Sequence, residues 1–299
     1  MSLVIVGSLA FDTIETPLVR RERIVGGSGT YCALAASAFT KPKVVGIIGR
    51  DFPRKMLSAM AARGIDLAGV SMKAGKTFHW EGRYGTDPNQ RTTVRTDLNV
   101  FARFKPVLPP SFRSADILYL ANIDPDLHGP LLAQARKPKL VAMDTIRFWI
   151  ETKREAVFRE LGRVDVYFAN DEEVKLLAGE ANLIRAGRKL LEAGPSLIVV
   201  KKGEHGALLL GRDFVFGILA RPCEDVVDPT GAGDSFAGGF LGYLDRVRRF
   251  TGREFRRAAV YGSVMASFAI ESFGVERLLS LGEEDVEARF REFKSLVSF

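Results

Sequence analysis

The chain has 299 residues, 46% of them hydrophobic and 26% charged, with 29 glycines, 13 prolines and two cysteines. This is ordinary globular usage, which excludes disorder, collagen and coiled coil, and no apolar stretch reaches the 18 or so residues that span a bilayer. The formal net charge of +7 comes from 43 Lys and Arg against 36 Asp and Glu, but the basic residues are scattered and accompany no nucleic-acid motif. We therefore expect a solvated surface that helps attract an anionic substrate, with no nucleic-acid partner and no membrane.

Short branched apolar runs alternate with helical patterns, as in parallel strands joined by crossover helices. The opening Leu3-Val4-Ile5-Val6-Gly7 lacks the basic flank of a signal peptide and predicts a first strand of a cytoplasmic protein. A helix is expected over 30–39, a strand over 44–48 and a helix over 53–63. Next come strands over 117–121 and 140–144 with a helix over 130–136 between them. A helix over 151–161, a strand over 164–169 and helices over 172–178 and 183–193 precede a strand over 197–201, hairpin-paired with 207–210. Three helices then close the chain over 232–247, 254–272 and 283–296, the last opened by a capping box at Ser280-Leu281-Gly282-Glu283.

One region breaks this rhythm. Phe78 to Tyr84 alternates at period two, Asp87-Pro88-Asn89 reads as a turn, and Thr92 to Leu98 is rich in β-formers. These residues predict a hairpin outside the main sheet, either a flap closing over a site or an edge hairpin packed on the body.

The strongest local signal is Asp228-Pro229-Thr230-Gly231-Ala232-Gly233-Asp234-Ser235. A turn of small residues runs straight into a helix, leaving the amides of Gly231, Ala232 and Gly233 unpaired and aimed at an anion. Asp234 follows in the first turn, placed to take a proton from a hydroxyl beside that anion hole. Read locally, the same residues equally describe a capped helix whose glycines permit tight packing.

The segment resembles the C-terminal signature of the ribokinase-like (PfkB) carbohydrate kinases, and further matches occur in family order along the chain. The resemblance implies an α/β fold, a three-layer ribokinase-like sandwich with a mostly parallel central sheet and a small β lid. It implies one kinase domain over 1–299, with a lid formed by about 12–25 and 74–104. The activity implied is ATP-dependent phosphorylation of a hydroxyl on a small sugar or polyol, with Asp234 as general base and the amides of Gly231, Ala232 and Gly233 as anion hole. Substrate contacts carried over are Asp12, which ends Gly7-Ser8-Leu9-Ala10-Phe11-Asp12, and Gly27 and Ser28 of the diglycine turn Gly26-Gly27-Ser28-Gly29-Thr30. Tyr31 stands where the family usually has Asn. Arg95 of the second flap strand is a further substrate candidate.

On the nucleotide side, Asn170-Asp171-Glu172-Glu173 is similar to the family's Asn-x-x-Glu motif, so Asn170 is assigned to the nucleotide and Glu173 to Mg2+ and its waters. Lys201, Gly203 and Gly206 resemble the strand end and glycine turn beside the phosphates, Thr230 belongs to the signature, and Ser263 lies on a segment resembling the small-residue helix that lines the adenine pocket, near a position often filled by Asn. Asp144-Thr145-Ile146-Arg147 resembles an Asp-x-Asn-x-Arg element that lacks its Asn, and no role is assigned to it. Some members also bind a monovalent cation such as K+ beside Asp228–Thr230, and some pair as homodimers through the lid. A nucleoside kinase is the alternative, since Phe78, Trp80 and Tyr84 with Gly27-Ser28 would accommodate a base beside a ribose. A non-catalytic nucleotide or sugar binder is the remote one.

Other motifs fall away. Ala74-Gly75-Lys76-Thr77 imitates a Walker A ending, but the required Gly is Val70. His79, His128 and His205 are isolated, and Cys32 and Cys223 have no metal-ligand spacing. Phe290, Phe293 and Phe299 recur at a spacing that suits a core helix face.

Overall fold

The strand Leu3–Val6 (β1) is buried at every position because it serves two cores: Leu3 and Ile5 pack on one side, Val4 and Val6 on the other. In the computed structural model, which describes residues 2–296, β1 is followed by β2 (Ala10–Glu15), β3 (Arg20–Gly26), α1 (Ser28–Ala36), β4 (Lys43–Gly49), α2 (Arg54–Ala62) and β5 (Asp66–Lys73). The chain continues through β6 (Phe78–Tyr84), β7 (Arg91–Asp97), β8 (Ile117–Leu120), α3 (His128–Leu132), β9 (Leu140–Asp144), α4 (Arg147–Thr152) and α5 (Arg154–Leu161). Next are β10 (Val166–Asn170), α6 (Asp171–Ala178), α7 (Leu183–Glu192), β11 (Leu197–Lys201), β12 (Ala207–Gly211) and β13 (Val215–Ile218). Four helices close the chain: α8 (Ala232–Val247), α9 (Gly252–Ala269), α10 (Glu276–Ser280) and α11 (Glu283–Leu296).

The main sheet has the order β13-β12-β11-β10-β9-β8-β1-β4-β5. It is parallel from β11 to β5, and β12 and β13 join antiparallel at one edge. Apolar residues of α1, α8, α9, α10 and α11 cover one face, and those of α3 to α7 cover the other. This is a three-layer α/β sandwich. A separate sheet, ordered β3-β2-β6-β7, pairs β2 with β6 in parallel and carries the expected hairpin.

Strands β3, β5 and β13 depart from the sequence reading for one reason. Each is the outer strand of its sheet and largely uncovered: β3 and the ends of β5 carry charged residues, and β13 is only four residues long with Val215 and Gly217 exposed, so no long apolar run marks them. The helix expected over 151–161 is two helices broken at Lys153, whose ammonium bridges Asp124 and Asp126 at 2.7 and 2.6 Å. The capping box at Ser280 is not formed. That hydroxyl donates to the Arg277 carbonyl at the end of α10, and the Gly282 amide is capped instead by Asp285 Oδ2 at 2.9 Å. Phe293 is fully buried and Phe290 packs at the core margin, whereas Phe299 lies outside the described residues. Among the described residues no helix is long and apolar enough to cross a membrane.

Candidate active site

In parallel sheets the carboxyl ends of the strands open onto a crevice, and here β9, β10 and β11 end side by side at Asp144, Asn170 and Lys201. Lys201 Nζ forms an ion pair with Asp144 Oδ2, a carboxylate only 3% exposed, whose Oδ1 accepts the Thr145 amide at 2.8 Å. Asn170 and Glu173 cap α6 reciprocally: Asn170 Oδ1 accepts the Glu173 amide at 2.7 Å, and Glu173 Oε2 accepts the Asn170 amide at 2.8 Å. Glu173 Oε1 accepts the Arg147 amide at 3.1 Å. Burial raises the Glu173 carboxyl above its ordinary range, and the charge of Lys201 works against that shift.

Facing these strand ends is the N-terminus of α8. Gly231 takes φ +77°, and a Cβ there would lie 2.4 Å from the Tyr31 ring, so this turn accepts only glycine. Among the described residues the Gly231 and Gly233 amides donate to no acceptor, while the Ala232 amide makes a long 3.3 Å bond to the Pro229 carbonyl. The expected row of three free amides is thus two free and one weakly held. The four residues Gly231 to Asp234 are partly exposed, between buried Thr230 and buried Ser235. A Cβ at Gly233 would sit 3.2 Å from Lys201 Nζ, so the ammonium borders the same turn.

The third component is the small sheet. Gly27 takes φ +94°, and Ser8 and Ser28 bond reciprocally, each amide meeting the other's hydroxyl at 3.0 to 3.3 Å, which ties the end of β1 to the start of α1. The Ser28 hydroxyl is therefore committed to this turn. Asp12, 4% exposed, lies against Gly26, where a Cβ would come within 1.8 Å of its Oδ2. Gly26→Ala is expected to displace that carboxylate and lower kcat/KM by about tenfold or more with an unchanged circular dichroism spectrum, since misplacing a substrate contact by about 1 Å costs that much.

Register settles which side chains of this sheet turn inward. Asp12 pairs with Trp80, Ile14 with Gly82 and Tyr84 with Arg91, so these residues share one face. Tyr84 donates or accepts a 3.0 Å bond with Thr230 Oγ1, which places that face over the α8 turn. The indole of Trp80 lies across Gly82, with the Arg91 guanidinium 5.6 Å from its ring centroid. A bulge between Glu81 and Gly82 puts Arg95 opposite Glu81 on the outer face, where it pairs with Asp97 at 2.9 Å. Arg91, which the sequence reading passed over, is the inward arginine of the flap. At the flap's tip Asn89 meets Gly203 closely, and Gly206 at φ +81° turns the chain into β12. Ser263 is buried within α9, and no bond links its hydroxyl to the other candidates among the described residues.

The electrostatics follow from crowding carboxylates under this sheet. Burial pushes Asp12 up to about 8, helped by the charges of Asp228 and Asp234 and opposed by the Gly27 amide and Arg91. Burial likewise pushes Asp234 up to about 7, with Asp144 adding to the shift and Lys201 and Arg91 opposing it. A carboxyl group titrating near neutrality beside free amides and a lysine is suited to exchange a proton with a hydroxyl and to stabilise an adjacent anion. Among the described residues no three His, Cys, Asp or Glu side chains are grouped around a metal position. Both Glu173 oxygens already accept amides, so a divalent ion would meet Glu173 through its own waters, as fits Mg2+ carried on nucleotide phosphates.

Comparison with known proteins finds related kinases. A cytidine kinase of Thermococcus kodakarensis is 33% identical over 254 residues, spanning 83% of this chain and 90% of its own length. A nucleoside kinase of Methanothermobacter thermautotrophicus is 27% identical over 291 residues, covering 92% and 91% of the two chains. The crystal structure of a Methanocaldococcus jannaschii nucleoside kinase, an archaeal member of the ribokinase family, superposes with a TM-score of 0.78 at 19% identity, over 98% of this chain and 99% of that one. With residues 2–280 matching the profile of the pfkB family carbohydrate kinases, the chain belongs to that family and has its ribokinase-like fold.

Proposed function

We propose a specific acceptor, donor and base for this chain, which is a kinase that phosphorylates a hydroxyl of a small sugar or nucleoside: the acceptor is a nucleoside, ATP with Mg2+ is the donor, and Asp234 is the general base. The observation that carries the acceptor is the register of the lid. Asp12 and Trp80 are paired neighbours on its inward face, so a ribose held through its hydroxyls by Asp12 sets its base beside a flat indole. The similarity to cytidine and nucleoside kinases supports this alternative over the small sugar or polyol first expected.

The chemistry asks little covalent help of the protein. Asp234 takes the proton from the attacking hydroxyl as its oxygen bonds to the γ-phosphorus and the bridging oxygen leaves with ADP. The amides of Gly231 and Gly233, with Lys201, meet the charge on the transferred group. Asn170, Thr230, Gly203, Gly206 and Ser263 are assigned to the nucleotide side. Mg2+ supplies neutralisation of the donor's phosphates. The Tyr84–Thr230 bond holds the lid over the reacting atoms, where excluding water suppresses ATP hydrolysis. Asp228, raised by burial and eased only by bonds from Thr230 and Gly274, would gain from a monovalent cation such as K+ beside it. We also propose that the chain works as one kinase domain in the cytoplasm, and that pairing as a homodimer would use the lid's exposed strands.

ADP release measured over cytidine, other nucleosides, ribose, fructose and inositols tests the acceptor. Nucleosides are expected to exceed free sugars in kcat/KM by about a hundredfold, and a response to sugars alone overturns the reading. Trp80→Ala should raise the nucleoside KM about tenfold, the scale of one lost base–aromatic stack, while leaving any reaction with ribose unchanged.

A further inference from the structure

Asp144 has no part in the mechanism above, yet its setting is unusual for a residue that merely fills a core. It ends β9 and is anchored from two sides: Oδ1 accepts the Thr145 amide at 2.8 Å, and Oδ2 accepts the Tyr119 hydroxyl at 3.4 Å from neighbouring β8. With its carboxylate fixed, Oδ2 meets Lys201 Nζ across the intervening strand β10. Lysine has a long flexible stem and loses its proton readily when buried alone. Here burial does oppose the charged form of Lys201, but Asp144 and then Glu173 outweigh it and keep the ammonium protonated. The Lys201 side chain retains 18% exposure against 3% for its partner, so the pair opens to the site through the lysine. On that open side the ammonium borders Gly233, whose amide is free.

We infer that Asp144 is a positioning residue for phosphoryl transfer: it holds Lys201 Nζ beside the Gly233 amide, so that ammonium and amide address the same phosphoryl oxygen. A buried ion pair is weak evidence for stability, because desolvating both charges costs about as much as their attraction returns. Its geometry here instead gives a mobile side chain one orientation, toward the anion hole. Asp144 does not touch the nucleotide in this account; it acts through Lys201, and because its charge also helps raise the Asp234 carboxyl, the variants are compared well above pH 7, where Asp234 is ionised with or without it. The inference rests on the proposed placement of the transferred group at the start of α8.

The test is a double-mutant cycle on kcat and on the KM for ATP, at saturating acceptor, with melting temperatures recorded for every variant. Asp144→Asn is expected to lower kcat/KM for ATP about tenfold while the acceptor KM stays within about twofold. Lys201→Met should lower it about a hundredfold, and Asp144→Asn with Lys201→Met should be no worse than Lys201→Met alone, because the aspartate has nothing left to orient. If the Asp144→Asn penalty persists undiminished in the Lys201→Met background, Asp144 does not act through the lysine and the inference fails. Should Asp144→Asn fold poorly, Lys201→Arg decides: a guanidinium still reaches the carboxylate and is expected to keep about a tenth of the activity or more, and a loss equal to that of Lys201→Met overturns the proposal. Asp234→Asn is assayed alongside. Loss there with no effect at Asp144 rejects only this inference, whereas full activity of Asp234→Asn rejects the mechanism beneath it.

Discussion

Asp234→Asn is expected to lower kcat at least about a hundredfold while ADP and acceptor still bind, the scale of a lost general base. The amide matches the carboxylate in shape and leaves the Gly231 turn and the start of α8 intact, so binding measured by calorimetry separates chemistry from folding. In the unsubstituted enzyme the base is the ionised form. Burial, reinforced by Asp144, raises its carboxyl to about 7, so activity should climb as pH rises through about 7 and level off above it. The same shift has an opposite sign for stability. A carboxyl raised from the ordinary 3.8 favours the folded state when protonated, and that stabilisation is lost as pH rises through about 7 for Asp234 and about 8 for Asp12. Asp234→Asn should therefore melt a few degrees higher than the unsubstituted protein at pH 8. A variant more stable and a hundredfold slower cannot owe its defect to misfolding. Activity within tenfold of the unsubstituted enzyme would remove Asp234 from the role of base.

What the sequence disclosed of this site divides by the range of the interactions involved. The α8 turn was legible because its constraints are local: Gly231 must adopt φ +77°, and Asp234 must follow within the first helical turn. The buried parallel strands were legible because a strand covered on both faces is apolar at nearly every position, as β1 and β8 are. Asp144 and Lys201 lie 57 residues apart, and their meeting depends on the strand order β9-β10-β11, which no local pattern carries. The available signal was positional, an aspartate closing the apolar run Leu140 to Met143 at a strand's carboxyl end. The choice between Arg91 and Arg95 turned on a bulge that reverses the alternation between Glu81 and Gly82. Arg91 and Arg95 lie four residues apart and would share a face by period two, so no local count separates them, and only the extra residue in β7 between Thr93 and Arg95 turns Arg95 outward.

Gly231→Ala is expected to cost both activity and stability, for two separable reasons. A residue with a Cβ pays about 1–2 kcal/mol to hold φ near +77°, and the methyl group would come within 2.4 Å of the Tyr31 ring beneath the turn. The ring, 1% exposed, has little room to retreat, so the turn must move and the Gly231 and Gly233 amides with it. Losing one donor of an anion hole costs about a hundredfold or more in kcat, and that is the expected fall. Gly233→Ala is the control. Gly233 is outside the positive-φ set, and its added methyl meets only the end of the Lys201 side chain at 3.2 Å. Its melting temperature should stay within about 2 °C of the unsubstituted protein while the KM for ATP rises as Lys201 is pushed off the phosphoryl position. If Gly231→Ala retained more than a tenth of the activity, the amides before α8 would not be the groups that stabilise the transferred phosphoryl.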